Sequence, residues 1–306
     1  MTLGHVPATT GATQGVPRAE LTRRRRPLGP RLARSLGYQS VSLVLAGVFL
    51  FPLLYAVLNS LKGEGTANDS PPTWLPRSWS LSNYEDLVDY GEGIGVYLFN
   101  SIAISVLTII GTVVVAVLGG YGFARFNFRG KKLLFGSTLL ILMVPYATIL
   151  LPLYIVLVRL GLHNSLVGIS LVLVMFQLPF STFLMRNSFE SVPAELEEAA
   201  LVDGCSTFGA LRRVSLRIVS PGIVTIALFA FLASWNEFLA PLIFLSDGSK
   251  FTLPIMLVNI RSGAYGAVDW GVLQAGLVIA MLPCLVLYVV LQRFYVSGLV
   301  NGALRG

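Results

Sequence analysis

Charge is scarce in this chain. Of its 306 residues, 12% are Asp, Glu, Lys or Arg and 55% are hydrophobic, with a mean hydropathy of +0.75. A soluble domain carries about twice that share of charge, so an ordinary soluble fold is excluded. Cysteine is scarcer still. Cys205 and Cys284 make up the whole set, lie in different runs, and give no disulfide or metal-ligand pattern. A G-x-x-x-x-G-K-[ST] phosphate loop is missing, which excludes ATP hydrolysis by that route. Lys and Arg are missing from the interiors of the apolar runs, and Glu237 is the one carboxylate inside any of them.

What fills the sequence instead is long apolar runs. Several exceed the roughly 20 residues that cross about 30 Å of hydrocarbon as a helix. Six spans are expected, at 38–61, 96–121, 133–159, 166–185, 218–245 and 272–292. The chain thus reads as an all-α polytopic membrane protein with six transmembrane helices. The loops set its orientation. Loop 122–132 holds Arg125, Arg129, Lys131 and Lys132, and loop 186–217 holds Arg186, Arg212, Arg213 and Arg217. Loop 62–95 is mainly acidic, and loop 160–165 has no Lys or Arg. By the positive-inside rule both termini and loop 186–217 face the cytoplasm. Residues 1–36, with the run Arg23-Arg24-Arg25-Arg26, read as a disordered cytoplasmic tail. A secretory signal is disfavoured, because the run from Val41 is too long and lacks a small-x-small cleavage site. The net charge of +7 is accounted for by this placement and does not point to nucleic acid.

The third span carries Pro145 and Pro152 and the fourth carries Pro179. Proline removes a backbone donor and kinks a helix. Such bends either line a pathway that rocks or are ordinary membrane-helix prolines. Gly111, Gly119, Gly120 and Gly122 cluster in and just after the second span and predict close helix packing, with a hinge as the alternative. Arg159 ends the third span, where its stem can reach the headgroups, and the lone His163 reads as a surface residue. Loop 62–95 holds Trp74 and Trp79, which serve either a partner or the membrane interface.

Residues 192–222 form a charged island between two apolar runs. Pro193 suits the first turn of a helix. Glu195, Glu197 and Glu198 follow, where acid favours the positive end of the helix dipole. Ala199 and Ala200 add almost no bulk and let another surface approach the backbone. Gly204 can take the positive φ that ends a helix, and Ser206 or Thr207 can cap a second one. That second helix is expected to present Leu211, Val214 and Ile218 on one face, with Arg212, Arg213 and Arg217 off it. The island either docks another protein or lies on the membrane surface without a partner.

The run Glu198-Ala199-Ala200-Leu201-Val202-Asp203-Gly204 resembles the E-A-A-x-x-D-G core of permease subunits in binding-protein-dependent ABC importers. Leu81-Ser82-Asn83-Tyr84, Trp235-Asn236-Glu237-Phe238 and the ending Gly298-Leu299-Val300-Asn301-Gly302 narrow the resemblance to the carbohydrate branch, close to the maltose-type permeases of the type I importer fold. It covers residues 38–306. Two positions depart from the family pattern. Cys205 stands where Ala is usual, and Leu216-Arg217 where Leu-Pro is frequent, with Pro221 available to start the fifth span instead.

The resemblance implies a mechanism. Such permeases work in pairs in the bacterial cytoplasmic membrane, usually as heterodimers, and are driven by two cytoplasmic ATPases. Loop 192–217 would be the coupling loop between helices four and five, with Glu197, Glu198, Ala199, Ala200, Asp203 and Gly204 as its ATPase-coupling residues. ATP and Mg would be used by the partner ATPase, and this chain would hold no cofactor, no metal and no catalytic residue. An extracytoplasmic binding protein would deliver a mono- or oligosaccharide. Trp235, Asn236 and Glu237 either lie on the sugar path or form a structural polar cluster between subunits; 100° per residue prevents all three from facing one cavity. Glycerol-3-phosphate or another polar solute is the alternative cargo, though a phosphate wants a cationic partner that the spans lack. A stand-alone secondary transporter is the rival class; it would be expected to show charged relays or an inverted repeat, and neither is evident.

Overall fold

A computed structural model of the chain describes residues 29–63, 66–68, 73–264, 266 and 268–303, with side chains described between 38 and 291. It divides into two units, one ending at Phe51 and one running from Pro52. No strand occurs among the described residues; the single β-bridge joins Lys62 to Trp79.

Helix α1, Gly29–Ser60, starts nine residues ahead of the expected span, so part of the expected tail, 29–36, is helical. Residues 1–28 lie outside the described residues. The short α2, Ser82–Val88, leads to α3, Ile94–Arg125. Next come α4, Lys131–Leu140, and α5, Tyr146–Arg159, then α6, Leu166–Glu190. The charged island folds as α7, Ala194–Val202, and α8, Thr207–Ala210, followed by a π turn at Leu211–Ser215 and α9, Leu216–Ile218. Helices α10, Ser220–Trp235, and α11, Leu239–Phe244, cover the fifth run. Helices α12, Leu253–Ser262, and α13, Trp270–Ala303, complete the chain.

Among the described residues, four stretches are long and apolar enough to cross a membrane: Tyr38–Ser60, Ile94–Arg125, Leu166–Glu190 and Trp270–Leu291. Two more result if bent helix pairs each count as one span. The third expected span is one such pair, because α4 with its following turn meets α5 at 108°. Pro145 is the cause. It forces Val144 into extended backbone (ψ 127°) and offers no amide to continue α4. The other bent pair lies at the start of the expected fifth run, where Thr207–Ile218 of the island meets α10 at 77°, and Pro221 sits in the first turn of α10. That run breaks a second time at Asn236–Phe238, between α10 and α11.

Helix α3 is the axis of the second unit, and α6 packs along it with α10 against both. Glycine permits the contact. A Cβ on Gly111 would come 2.7 Å from Val174 Cγ2, and one on Gly120 would come 2.9 Å from the Arg186 amide nitrogen. Near the Arg125 end, Ala116, Tyr121, Met185, Phe189 and Ile226 form a buried core. Toward the Ile94 end, Tyr97, Trp235, Met256 and Val272 form a second. A third gathers Ile104, Leu150, Ile169 and Phe244. Large apolar side chains such as Phe99, Leu142 and Val286 remain exposed, as hydrocarbon surroundings allow.

Candidate functional site

The island forms a shoulder with a polar inner side and an open outer side. Helix α7 starts at Pro193 and ends in a Schellman turn. The Gly204 amide donates to Leu201 O and the Cys205 amide to Ala200 O, each at 3.0 Å, while Gly204 takes φ +86°. Ser206 caps α8 by accepting from the Gly209 amide at 3.2 Å. Cys205, in the place of the usual Ala, has its sulfur 3.7 Å from an Arg213 guanidinium nitrogen, and the turn is intact.

Glu198, Ala199, Asp203 and Gly204 are exposed and Ala200 is half-buried. Beside them Val202 is 88% exposed and Phe208 65% exposed, an apolar pair that water does not favour. Glu197 faces the other way and is 8% exposed. Its Oε1 accepts from Arg125 Nε at 3.0 Å and from the Ser215 hydroxyl at 2.6 Å. Its Oε2 accepts from the Tyr121 hydroxyl at 3.1 Å. Arg125 also donates to Val192 O at 2.9 Å. A buried carboxylate is tolerable when it is paired and both its oxygens are hydrogen-bonded, as here.

The face expected on the second helix is corrected by the π turn. Leu211, Ser215 and Val219 are buried, whereas Val214 is half-buried and Ile218 is 46% exposed. The inward positions recur every fourth residue through the π turn, and Ser215 points at Glu197. Arg212, Arg213 and Arg217 are exposed, as expected.

Trp235, Asn236 and Glu237 point in different directions. Trp235 is 3% exposed and its indole N–H donates to Ala280 O at 3.0 Å, which pins α10 to α13. Asn236 is exposed and donates to Leu232 O at 2.8 Å. Glu237 Oε1 accepts from the Ala240 amide at 3.0 Å, a carboxylate at the N-terminus of α11. The Tyr146 hydroxyl, at the break before α5, faces the Glu237 carboxylate without forming a well-directed hydrogen bond. The helix breaks of the third and fifth runs therefore lie side by side. Trp235 and Asn236 also border an apolar recess of about 470 Å³ with Leu53, Leu257, Met281 and Leu285.

The Ser-Asn-Tyr motif has a structural use. Asn83 donates to Ser60 O at 3.0 Å and Lys62 O at 2.8 Å, and its amide occupies the space that Gly271 leaves open. The hydroxyls of Tyr84 and Ser60 meet at 2.8 Å. Sequence reasoning singled out none of Tyr121, Ser215 or Tyr146, and used Arg125 only for orientation. The available signal was that α7 carries three carboxylates but no apolar stripe, so one carboxylate had to be its inner anchor.

Comparison with known proteins agrees with this geometry. Residues 116–300 match the family described as binding-protein-dependent transport system inner membrane component. The sulfoquinovosyl glycerol transport system permease SmoH of Agrobacterium fabrum is 34% identical over 257 residues, covering 84% of this chain and 89% of that protein. The trehalose transport system permease SugB of Mycobacterium tuberculosis is 31% identical over 275 residues, covering 90% and 99%. A chain from the crystal structure of a bacterial ABC transporter involved in import of the acidic polysaccharide alginate has the same fold. Its TM-score is 0.73 at 22% identity, over 87% of this chain and 98% of that one. These relatives are transporter permease subunits, not enzymes. The chain belongs to the inner-membrane components of binding-protein-dependent transport systems, the permeases of ABC importers.

Proposed function

We propose that this chain forms half of the translocation path of an ATP-driven sugar importer, and that loop 192–217 receives the stroke of a separate ATPase. One observation carries the reading. Glu198, Ala199, Asp203 and Gly204, with Val202 and Phe208, form an open shoulder, while the opposite side of the same helix is tied to α3. A small-residue surface with two bare apolar side chains suits a protein cleft better than water.

In this reading the bent pair of the third run counts as one span and α10 with α11 make the fifth, giving six, and the alternation of Lys and Arg between loops puts both termini in the cytoplasm. A second homologous permease, most simply a different chain, completes the path. Two ATPase subunits hold the ATP and Mg, and an extracytoplasmic binding protein delivers the cargo. Relatives named for sulfoquinovosyl glycerol and trehalose support a carbohydrate. The lack of Lys or Arg inside the spans favours a neutral one. Glu237, with Asn236 beside it, is the polar group offered to the path. Trp235 backs it by holding the break in α10 against α13.

The test is Ala200→Trp in the assembled complex. The added bulk closes the shoulder, and ATPase co-purification or transport per ATP falls sharply. Normal assembly with normal transport would remove the loop from the mechanism.

A further inference from the structure

We propose that Arg125 and Glu197 form a strut that carries displacement of the loop into the transmembrane helices, so that Glu197 serves this chain's own helices and not the ATPase surface. The proposal rests on the coupling reading above, and asks how a short loop avoids absorbing the push it receives. A helix of nine residues joined only through its two ends would tilt under load. Stiffness needs bonds to segments far away in sequence.

Arg125 and Glu197 supply those bonds at one point. Arg125 is the last residue of α3. Its Nε holds Glu197 on α7, and its terminal nitrogen holds Val192 O in the turn after α6. From the other side Ser215, in the π turn that leads toward α10, donates to the oxygen that Arg125 also holds. Tyr121, one turn earlier on α3, takes the second oxygen, and its ring packs edge-on against Phe189 of α6 with centroids 5.3 Å apart. The end of α3 and the approach to α10 thus meet on one carboxylate, and the same two residues of α3 hold the end of α6 through Val192 O and Phe189. These three helices are the ones packed against one another along the rest of their length. A push on the exposed shoulder is delivered to that bundle as a unit.

The donor geometry explains the residue type. Arginine offers separate N–H groups in a rigid planar fork, and here Nε holds the carboxylate while a terminal nitrogen holds the carbonyl, two points set apart that the compact ammonium of lysine spans less well. The π turn lies on the same inner side, with Ser215 four residues after the buried Leu211 and four before the buried Val219. Glu195 and Glu198 flank the anchor but are exposed, so the three carboxylates of α7 divide into one inward and two outward.

The experiment uses the complete complex in proteoliposomes: this chain, its partner permease, the ATPase and the binding protein. The probe is whichever radiolabelled mono- or disaccharide from a panel the wild-type complex takes up. Two quantities are read, the ATPase retained on purification and the sugar moved per ATP. Arg125→Gln and Glu197→Gln each retain the ATPase but lower sugar per ATP by about tenfold, a size typical of substitutions that change coupling. The double variant is no worse than either single one, because both remove the same link. Arg125→Lys restores only part of the loss.

Loss of the ATPase from Glu197→Gln but not from Arg125→Gln would overturn the proposal and make Glu197 a docking residue. If either variant fails to assemble, Tyr121→Phe combined with Ser215→Ala decides, as it leaves the ion pair intact. A fall of about two- to threefold in sugar per ATP supports the strut, and an unchanged ratio overturns it. Ala200→Trp separates the two claims. If it leaves coupling normal, the loop assignment fails and the strut with it. If it uncouples while the Arg125 and Glu197 variants do not, the strut alone fails.

Discussion

Replacing Gly120 with Ala tests the backbone contact between α3 and α6. A Cβ at that position stands 2.6 Å from Met185 Cβ, 2.9 Å from Arg186 N and 3.0 Å from Met185 C. Carbon atoms in ordinary contact sit about 3.5–4.0 Å apart. Two of the three opposing atoms are backbone, so no rotamer change relieves the overlap, and α3 and α6 must part by roughly 1 Å, about the shortfall from ordinary contact. Overpacking of this kind costs about 1–3 kcal/mol. Gly119→Ala is the matched control, because its Cβ would lie 3.6 Å from Thr182 Cγ2, an ordinary contact. Both substitutions gain about 1 kcal/mol of helix propensity, so their difference isolates the overlap. Thermal unfolding of the detergent-purified chain, followed by circular dichroism, reads that difference. At about 2–4 °C per kcal/mol, Gly120→Ala should melt roughly 2–12 °C below Gly119→Ala. Equal melting temperatures would mean that α3 and α6 are not in backbone contact at Gly120, and the argument from glycine spacing would fail.

Three further substitutions probe other joints. Gly204→Val places a β-branched residue at φ +86°, which costs about 1–3 kcal/mol and should speed hydrogen exchange across Ala199–Gly204 by roughly tenfold; unchanged protection would deny the Schellman turn. Asn83→Ala leaves the carbonyls of Ser60 and Lys62 without their donor, at about 1–3 kcal/mol each, and should lower the melting temperature and speed proteolysis of segment 62–81, whereas an unaffected protein would mean that α2 is held by other contacts. Glu237→Gln should abolish or strongly reduce sugar uptake with assembly unchanged, and wild-type uptake would remove Glu237 from the path.

The positions of the apolar runs were legible because hydrocarbon demands about 20 apolar residues whatever the sequence does elsewhere. Breaks within runs were harder to see. Pro145 and Pro152 both lie in the third run, yet only Pro145 ends a helix, while Pro152 stays inside α5. Proline marks a lost donor, but packing decides whether the helix kinks or stops. The interruption at Asn236–Phe238 carries no proline and is held by side chains, with Glu237 capping α11 and Trp235 fixing α10. The Trp235 bond to Ala280 spans residues distant in sequence and leaves no period to read. The caps of loop 192–217 were legible for the opposite reason. Gly204 and Ser206 act on backbone groups within a few residues of themselves. Glu197 shows the limit most clearly. As sequence it is one of three carboxylates in the first half of α7, and only the arrival of Tyr121, Arg125 and Ser215 distinguishes it.

The central claim is that this chain converts the work of a separate ATPase into sugar movement. It is tested most directly by purifying the detergent-solubilised complex by a tag on this chain and assaying ATPase activity with a panel of sugar-loaded binding proteins. The account predicts an ATPase that co-purifies and whose activity rises with one loaded binding protein, and predicts that Ala200→Trp abolishes that rise. A chain that purifies alone and moves solute into liposomes without ATP would contradict it.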